Sequence, residues 1–113
     1  MMINYNKKVF APVSNSANGE TSSDTKFYYS QTGNILTARY QGGKIVDGHL
    51  IGLVDQNGEI DMRYHQVNTD GTLMTGRCQS VPEILANGKI RLHENWQWTS
   101  GDCSSGQSII EEL

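Results

Sequence analysis

Apolar and polar side chains alternate through most of this chain. Ile60-Asp-Met-Arg-Tyr-His-Gln-Val and Lys89-Ile-Arg-Leu-His-Glu-Asn-Trp-Gln-Trp change face at every residue. A period of two is the mark of a strand with one face covered and one face wet. Turn signals punctuate the alternation at Asn18-Gly19, Gly33-Asn34, Gly42-Gly43, Asn57-Gly58, Asp70-Gly71 and Asn87-Gly88. Such pairs tolerate the positive φ that tight hairpins require. About eight strands follow, at Lys7–Ala17, Glu20–Gln31, Ile35–Gln41, Lys44–Asp55, Glu59–Asn68, Thr72–Ala86, Lys89–Ser100 and near Gln107–Glu112. Pro12 suits only an edge or bulge, Gly48 reads as a bulge, and Met1–Asn6 reads as an irregular start. No stretch shows a useful helical period, although Ile109–Leu113 would accept one terminal helical turn.

Treating every turn as a two-residue loop fixes the register. It sets Phe10 against Phe27, Phe27 against Tyr40, Tyr40 against Ile45, Ile51 against Tyr64, Tyr64 against Arg77 and Arg77 against Trp98. One face then gathers Phe10, Phe27, Tyr29, Leu36, Tyr40, Ile51, Leu53, Ile60, Met62, Tyr64, Leu92, Trp96 and Trp98. The other gathers Lys7, Arg39, Asp61, Arg63, His65, Arg91, His93, Asn95 and Gln97. A three-residue loop with Gly71 in the left-handed region is the alternative at one turn. It would turn Met74, Gly76 and Cys78 inward in place of Arg77.

An apolar sheet face must be covered, and no helix is available to cover it. The expected fold is therefore all-β: a single antiparallel up-and-down meander closing into a calycin- or lipocalin-like β-barrel over residues 1–113. A β-sandwich is the alternative. Eight strands leave an interior that side chains fill or that holds one small ligand.

Composition narrows the function. The chain has 113 residues, 36% hydrophobic content, a net charge of −3 and two cysteines, with mean hydropathy −0.51 and pI near 5.5. One domain fits this length. The acidic balance argues against nucleic acid as a partner. No apolar run approaches the roughly 20 residues of a membrane-spanning helix. Cys78 and Cys103 lie outside any C-x-x-C and, with no export signal in the chain, read as free thiols in the cytoplasm.

Several polar residues fall on the inward face: Gln66, Arg77, Gln79, Glu94 and His49. Burying them is costly unless they are paired. Arg77, flanked by Tyr64, Trp96 and Trp98, either grips the carboxylate or phosphate of a small ligand or stacks on Trp98, solvated at the mouth. Tyr64, Arg77, Gln79, Glu94, Trp96 and Trp98 thus make the candidate ligand site, with an aromatic or carboxylate-bearing ligand expected. His49, His65 and His93 do not converge, so no metal and no cofactor is expected. His93-Glu-Asn-Trp-Gln97 lacks the second histidine of H-E-x-x-H. Cys78 falls on the outer face with no base beside it. Leu50, Val54, Arg63, His65 and Val67 make an alternative outer patch for a protein partner or a homodimer.

Arg63-Tyr-His-Gln-Val-Asn68, Gly76-Arg-Cys-Gln-Ser-Val-Pro-Glu83 and Arg91-Leu-His-Glu-Asn-Trp-Gln-Trp-Thr-Ser-Gly-Asp102 resemble a family of small, uncharacterised bacterial proteins. Its members often carry the label N-acetylglutamate synthase. The resemblance covers nearly the whole chain and brings no catalytic residues with it. The label would imply acetyl transfer from acetyl-CoA, with an Arg/Gln-x-x-Gly-x-Gly/Ala loop opening a helix. Arg39-Tyr-Gln-Gly-Gly-Lys44 begins that way but ends in lysine and leads into a strand. The residues favour a non-enzymatic small-ligand barrel, with an interaction module second and acetyl transfer last.

Overall fold

The computed structural model describes residues 3–113, so Met1 and Met2 lie outside the described residues. Its strands are β1 (Val9–Asn15), β2 (Lys26–Thr32), β3 (Ile35–Gly42), β4 (Ile45–Val54), β5 (Ile60–Asn68), β6 (Leu73–Ile84), β7 (Ile90–Trp98) and β8 (Ser105–Glu112). Each runs antiparallel to the next, and β8 returns against β1 to close the barrel. None of the described residues is helical. Ile109 and Ile110 belong to β8, so the stretch that could have ended in a helical turn instead forms the closing seam. Arg39–Lys44 makes the β3–β4 hairpin.

The turns explain both what the alternation predicts and where it misleads. Gly33-Asn34 is a two-residue loop with Gly33 at φ 61°, and it pairs Phe27 with Tyr40 as expected. Three other turns carry three residues. Gly58, Gly71 and Gly88 sit at φ 78°, 77° and 85°, and each N–H returns to the carbonyl three residues earlier, on Asp55, Asn68 and Leu85. This is a type I turn followed by a left-handed glycine, the common three-residue hairpin. Asp55 Oδ1 accepts from the Asn57 and Glu59 amides, and Asn68 Oδ1 from those of Asp70 and Thr72. An Asx at the first turn position holds that geometry.

One extra loop residue shifts the next strand by one place and reverses its faces. The three-residue loop at Gly71 turns Met74, Gly76, Cys78 and Ser80 into the barrel, with Tyr64 opposite Gly76 rather than Arg77. The loop at Gly88 reverses the error, so Ile90, Leu92, Glu94, Trp96 and Trp98 point inward as expected. On β4 the cause is a bulge at Val46, not at Gly48. Ile45 faces in, but beyond the bulge Leu50 and Val54 are buried while Ile51 and Leu53 are each 56% exposed. Phe10 does meet Phe27, although residues 16–25 between them form a long loop instead of a tight turn.

The barrel interior is layered. Phe10, Leu36, Ile60, Leu92 and Ile110 are at most 1% exposed and fill one end. Tyr5 plugs that end. It is fully buried, packs edge-on against Tyr29 and donates its hydroxyl to the Gly58 carbonyl. Residues 3–6 form no strand, in keeping with an irregular start, but they are tied down, because Tyr5 is core.

The other end is more open because glycines face aromatics. Tyr40 lies opposite Gly48, Tyr64 opposite Gly76 and Trp96 opposite Gly106. A β-carbon on any of these glycines would come within 2.4 Å of the ring. Each ring thus lies flat on the barrel wall over a bare stretch of backbone, as aromatics do when they cover a strand glycine.

Candidate functional site

Five aromatic side chains, Phe27, Tyr40, Tyr64, Trp96 and Trp98, surround a cavity at the end of the barrel remote from Tyr5. Phe27 stacks on Tyr40 with ring centroids 4.6 Å apart. Trp98 meets Tyr64 edge-on at 5.9 Å and Trp96 at 5.5 Å. The cavity has a volume of about 50 Å³, enough for a few waters or a ligand of a few heavy atoms.

Glu94 reaches the cavity from the middle of β7. Its Oε2 accepts from Ser80 Oγ at 2.9 Å, and its Oε1 from Ser108 Oγ at 3.0 Å. The two serines are its register partners on β6 and β8, so the alternation that turns Glu94 inward supplies both donors. Protein surrounds the carboxyl, yet the residue keeps some accessible surface and lines the cavity. Burial pushes its pKa above the usual carboxylate range, opposed in part by the hydrogen bonds from Ser80, Ser108 and Cys78. Cys78, opposite Trp96, also lines the cavity, and burial pushes its thiol up. It is an inward residue, not an outer one.

Loop 16–25 folds over the mouth. Trp98 Nε1 donates to the Asn18 carbonyl at 3.1 Å. Gln66 Nε2 and Asn68 Nδ2 donate to the two oxygens of Glu20 at 2.8 and 2.7 Å, and Tyr40 donates to Gln66 Oε1 at 2.8 Å. Asn15 Nδ2 donates to the Thr21 carbonyl, while Asn15 Oδ1 is buried with no partner. Gly19, Glu20 and Thr21 thereby become part of the cavity wall.

Of the six candidate residues, Tyr64, Glu94, Trp96 and Trp98 line this cavity. Arg77 and Gln79 do not. The three-residue loop at Gly71 turns both outward, and Arg77 Nη2 donates to Gln97 Oε1 at 2.8 Å on the outer surface. His49 is also outside, its ring stacked on His65 at 5.6 Å. The outer patch drawn through Leu50 and Val54 mixes faces, since both are buried. The alternation does not single out Glu20, Asn15, Ser80 or Ser108. Ser80 becomes visible once the three-residue loop at Gly71 sets the register of β6, and Ser108 once β8 is paired with β7, whereas Glu20 enters through a loop that carries no periodic signal.

Fold and site together define a calycin-like barrel, plugged at one end, with an aromatic and acidic cavity at the other. A family profile described as Avidin-like protein matches residues 3–113. The chain belongs to the avidin-like protein family. Searches of curated proteins and of solved structures return no significant match.

Proposed function

We propose that this protein is a non-enzymatic barrel that binds one small molecule in the cavity beneath loop 16–25. The observation that carries the reading is a polar group kept inside an aromatic pocket. Glu94, with Ser80 and Ser108 as donors, sits where a filled barrel would place an apolar side chain. A buried polar cluster is costly, and a preformed apolar pocket with a few converging polar groups is how small-molecule sites are built. Membership of an avidin-like family supports the same reading and makes biotin one ligand to test. A cytoplasmic setting belongs to the reading as well, because Cys78 and Cys103 are both free thiols.

Trp96 and Trp98 are the chain's two tryptophans, and both line the cavity. Their emission therefore reports directly on occupancy. Titration with biotin, short amines, short carboxylates and aromatic acids is expected to give a saturable change with at least one of them. Flat emission throughout, with no small-molecule adduct in native mass spectra of the freshly purified protein, would contradict the reading.

Self-association is a second reading, favoured by an exposed apolar band. Ile35, Ile51 and Leu53 lie together on the outer faces of β3 and β4, bordered by Asp61 and Arg63 on β5. A contiguous outer band of this kind, rimmed by charge, marks an interaction surface.

A further inference from the structure

We infer that the ligand selected by this cavity is a small organic cation, an ammonium or guanidinium group held between two carboxylates and five aromatic rings. The inference rests on the binding reading above and adds the chemistry of the ligand. It also replaces the carboxylate-bearing ligand expected when Arg77 was placed inside.

The charge balance of the cavity comes first. Its lining includes Glu20 and Glu94 and no lysine, arginine or histidine. Neither carboxylate belongs to an ion pair among the described residues; the cations that are paired, Lys8, Arg39, Arg63 and Arg91, meet Asp47, Asp61, Glu83, Glu111 and Glu112 on the barrel's outside and edge. The hydrogen bonds to Glu20 and Glu94 come from neutral amides, hydroxyls and a thiol. An anionic ligand would enter without a counter-charge and against two like charges. A cation would supply the missing partner.

The walls agree with the charge. Aromatic rings present a negative face, and several of them around one small space form the cage that suits an ammonium or guanidinium group. The remaining polar valences also ask for a donor. Asn15 Oδ1 accepts nothing, and a carboxylate offers about four lone-pair sites, of which the Ser80 and Ser108 hydroxyls and the Cys78 thiol take three at Glu94. Size sets the limit, because a cavity of about 50 Å³ admits a head group with a short chain, not an extended polyamine.

A matched series of probes tests this: isobutylamine, isobutyl alcohol and isobutyrate, which share a carbon skeleton and differ in charge. Isobutylamine is expected to bind at least about tenfold more tightly than isobutyrate, with the alcohol between them. Glu94→Gln should cost the amine about tenfold and leave the alcohol within about twofold. Glu20→Gln at the rim provides a second variant with the same sign, and Asp61→Asn on the outer face controls for diffuse charge. Equal binding of amine and carboxylate, or amine binding untouched by both glutamate variants, overturns the cation assignment and leaves a binding barrel standing. No response to any ligand here or in the broader panel overturns both.

Discussion

Glu94 occupies a position in β7 between Leu92 and Trp96, where the period of the strand calls for another apolar side chain. Its two serine donors hold it in place, but they do not remove the cost of taking a carboxylate out of water. Its pKa is raised chiefly by that burial, so the folded protein holds the proton more tightly than the unfolded chain. The resulting stability is fully present below the ordinary carboxylate pKa and is lost as pH rises through the raised value. Glu83 acts in the opposite sense. Its hydrogen bond with His93, and Arg91 nearby, hold its carboxyl low, on the exposed surface. The difference between wild type and Glu94→Gln isolates the buried group. Urea midpoints measured from about pH 4 to about pH 8 should show Glu94→Gln gaining on wild type as pH rises. A difference flat with pH would mean that Glu94 is solvated.

At the scale of strands and turns, the choice between two- and three-residue loops decides which residues can meet a ligand. The period-two alternation identifies the strands, their order and the inward faces of β5 and β7, because a solvated face and a core face demand different side chains. It does not count loop residues, and each miscount reverses one strand. Arg77 and Gln79 were misplaced for that reason alone. The corrective signal was present at Asp55-Gln-Asn-Gly58 and Asn68-Thr-Asp-Gly71, where an Asx three residues before the glycine favours a type I turn. The bulge at Val46 has no comparable local signature. Glycines opposite aromatics are the other device at this scale. Gly76 lies between Tyr64 on β5 and Trp98 on β7. Gly76→Ala would bring a methyl group within 2.3 Å of the Tyr64 ring and push it into the cavity. A loss of about 1–3 kcal/mol in stability is expected, together with weaker ligand binding. Unchanged binding and stability would show that the ring is free to move aside.

For the whole molecule, closure hides one face of the sheet and leaves the outer face to solvent or to partners. The expectation of a closed barrel followed from the lack of any helix to cover the apolar face, and β8 against β1 fulfils it. Function was less legible, because one of the cavity's two carboxylates, Glu20, arrives through loop 16–25, whose path depends on tertiary hydrogen bonds rather than on its own sequence pattern. The exposed band of Ile35, Ile51 and Leu53 belongs to this scale as well. Sedimentation of wild type should show a dimer that Ile51→Glu dissociates, and a monomer at high concentration would remove the self-association reading.

The central claim is that ligands enter among Trp96, Trp98 and Glu94, inside the barrel and not on the Arg77 face. Its most direct test is a nuclear magnetic resonance titration with isobutylamine that follows the two indole Nε1–H signals and the Arg77 Nε–H signal together. The predicted result is saturable movement of both indole signals with Arg77 unmoved. Movement at Arg77 with the indoles unchanged would contradict it.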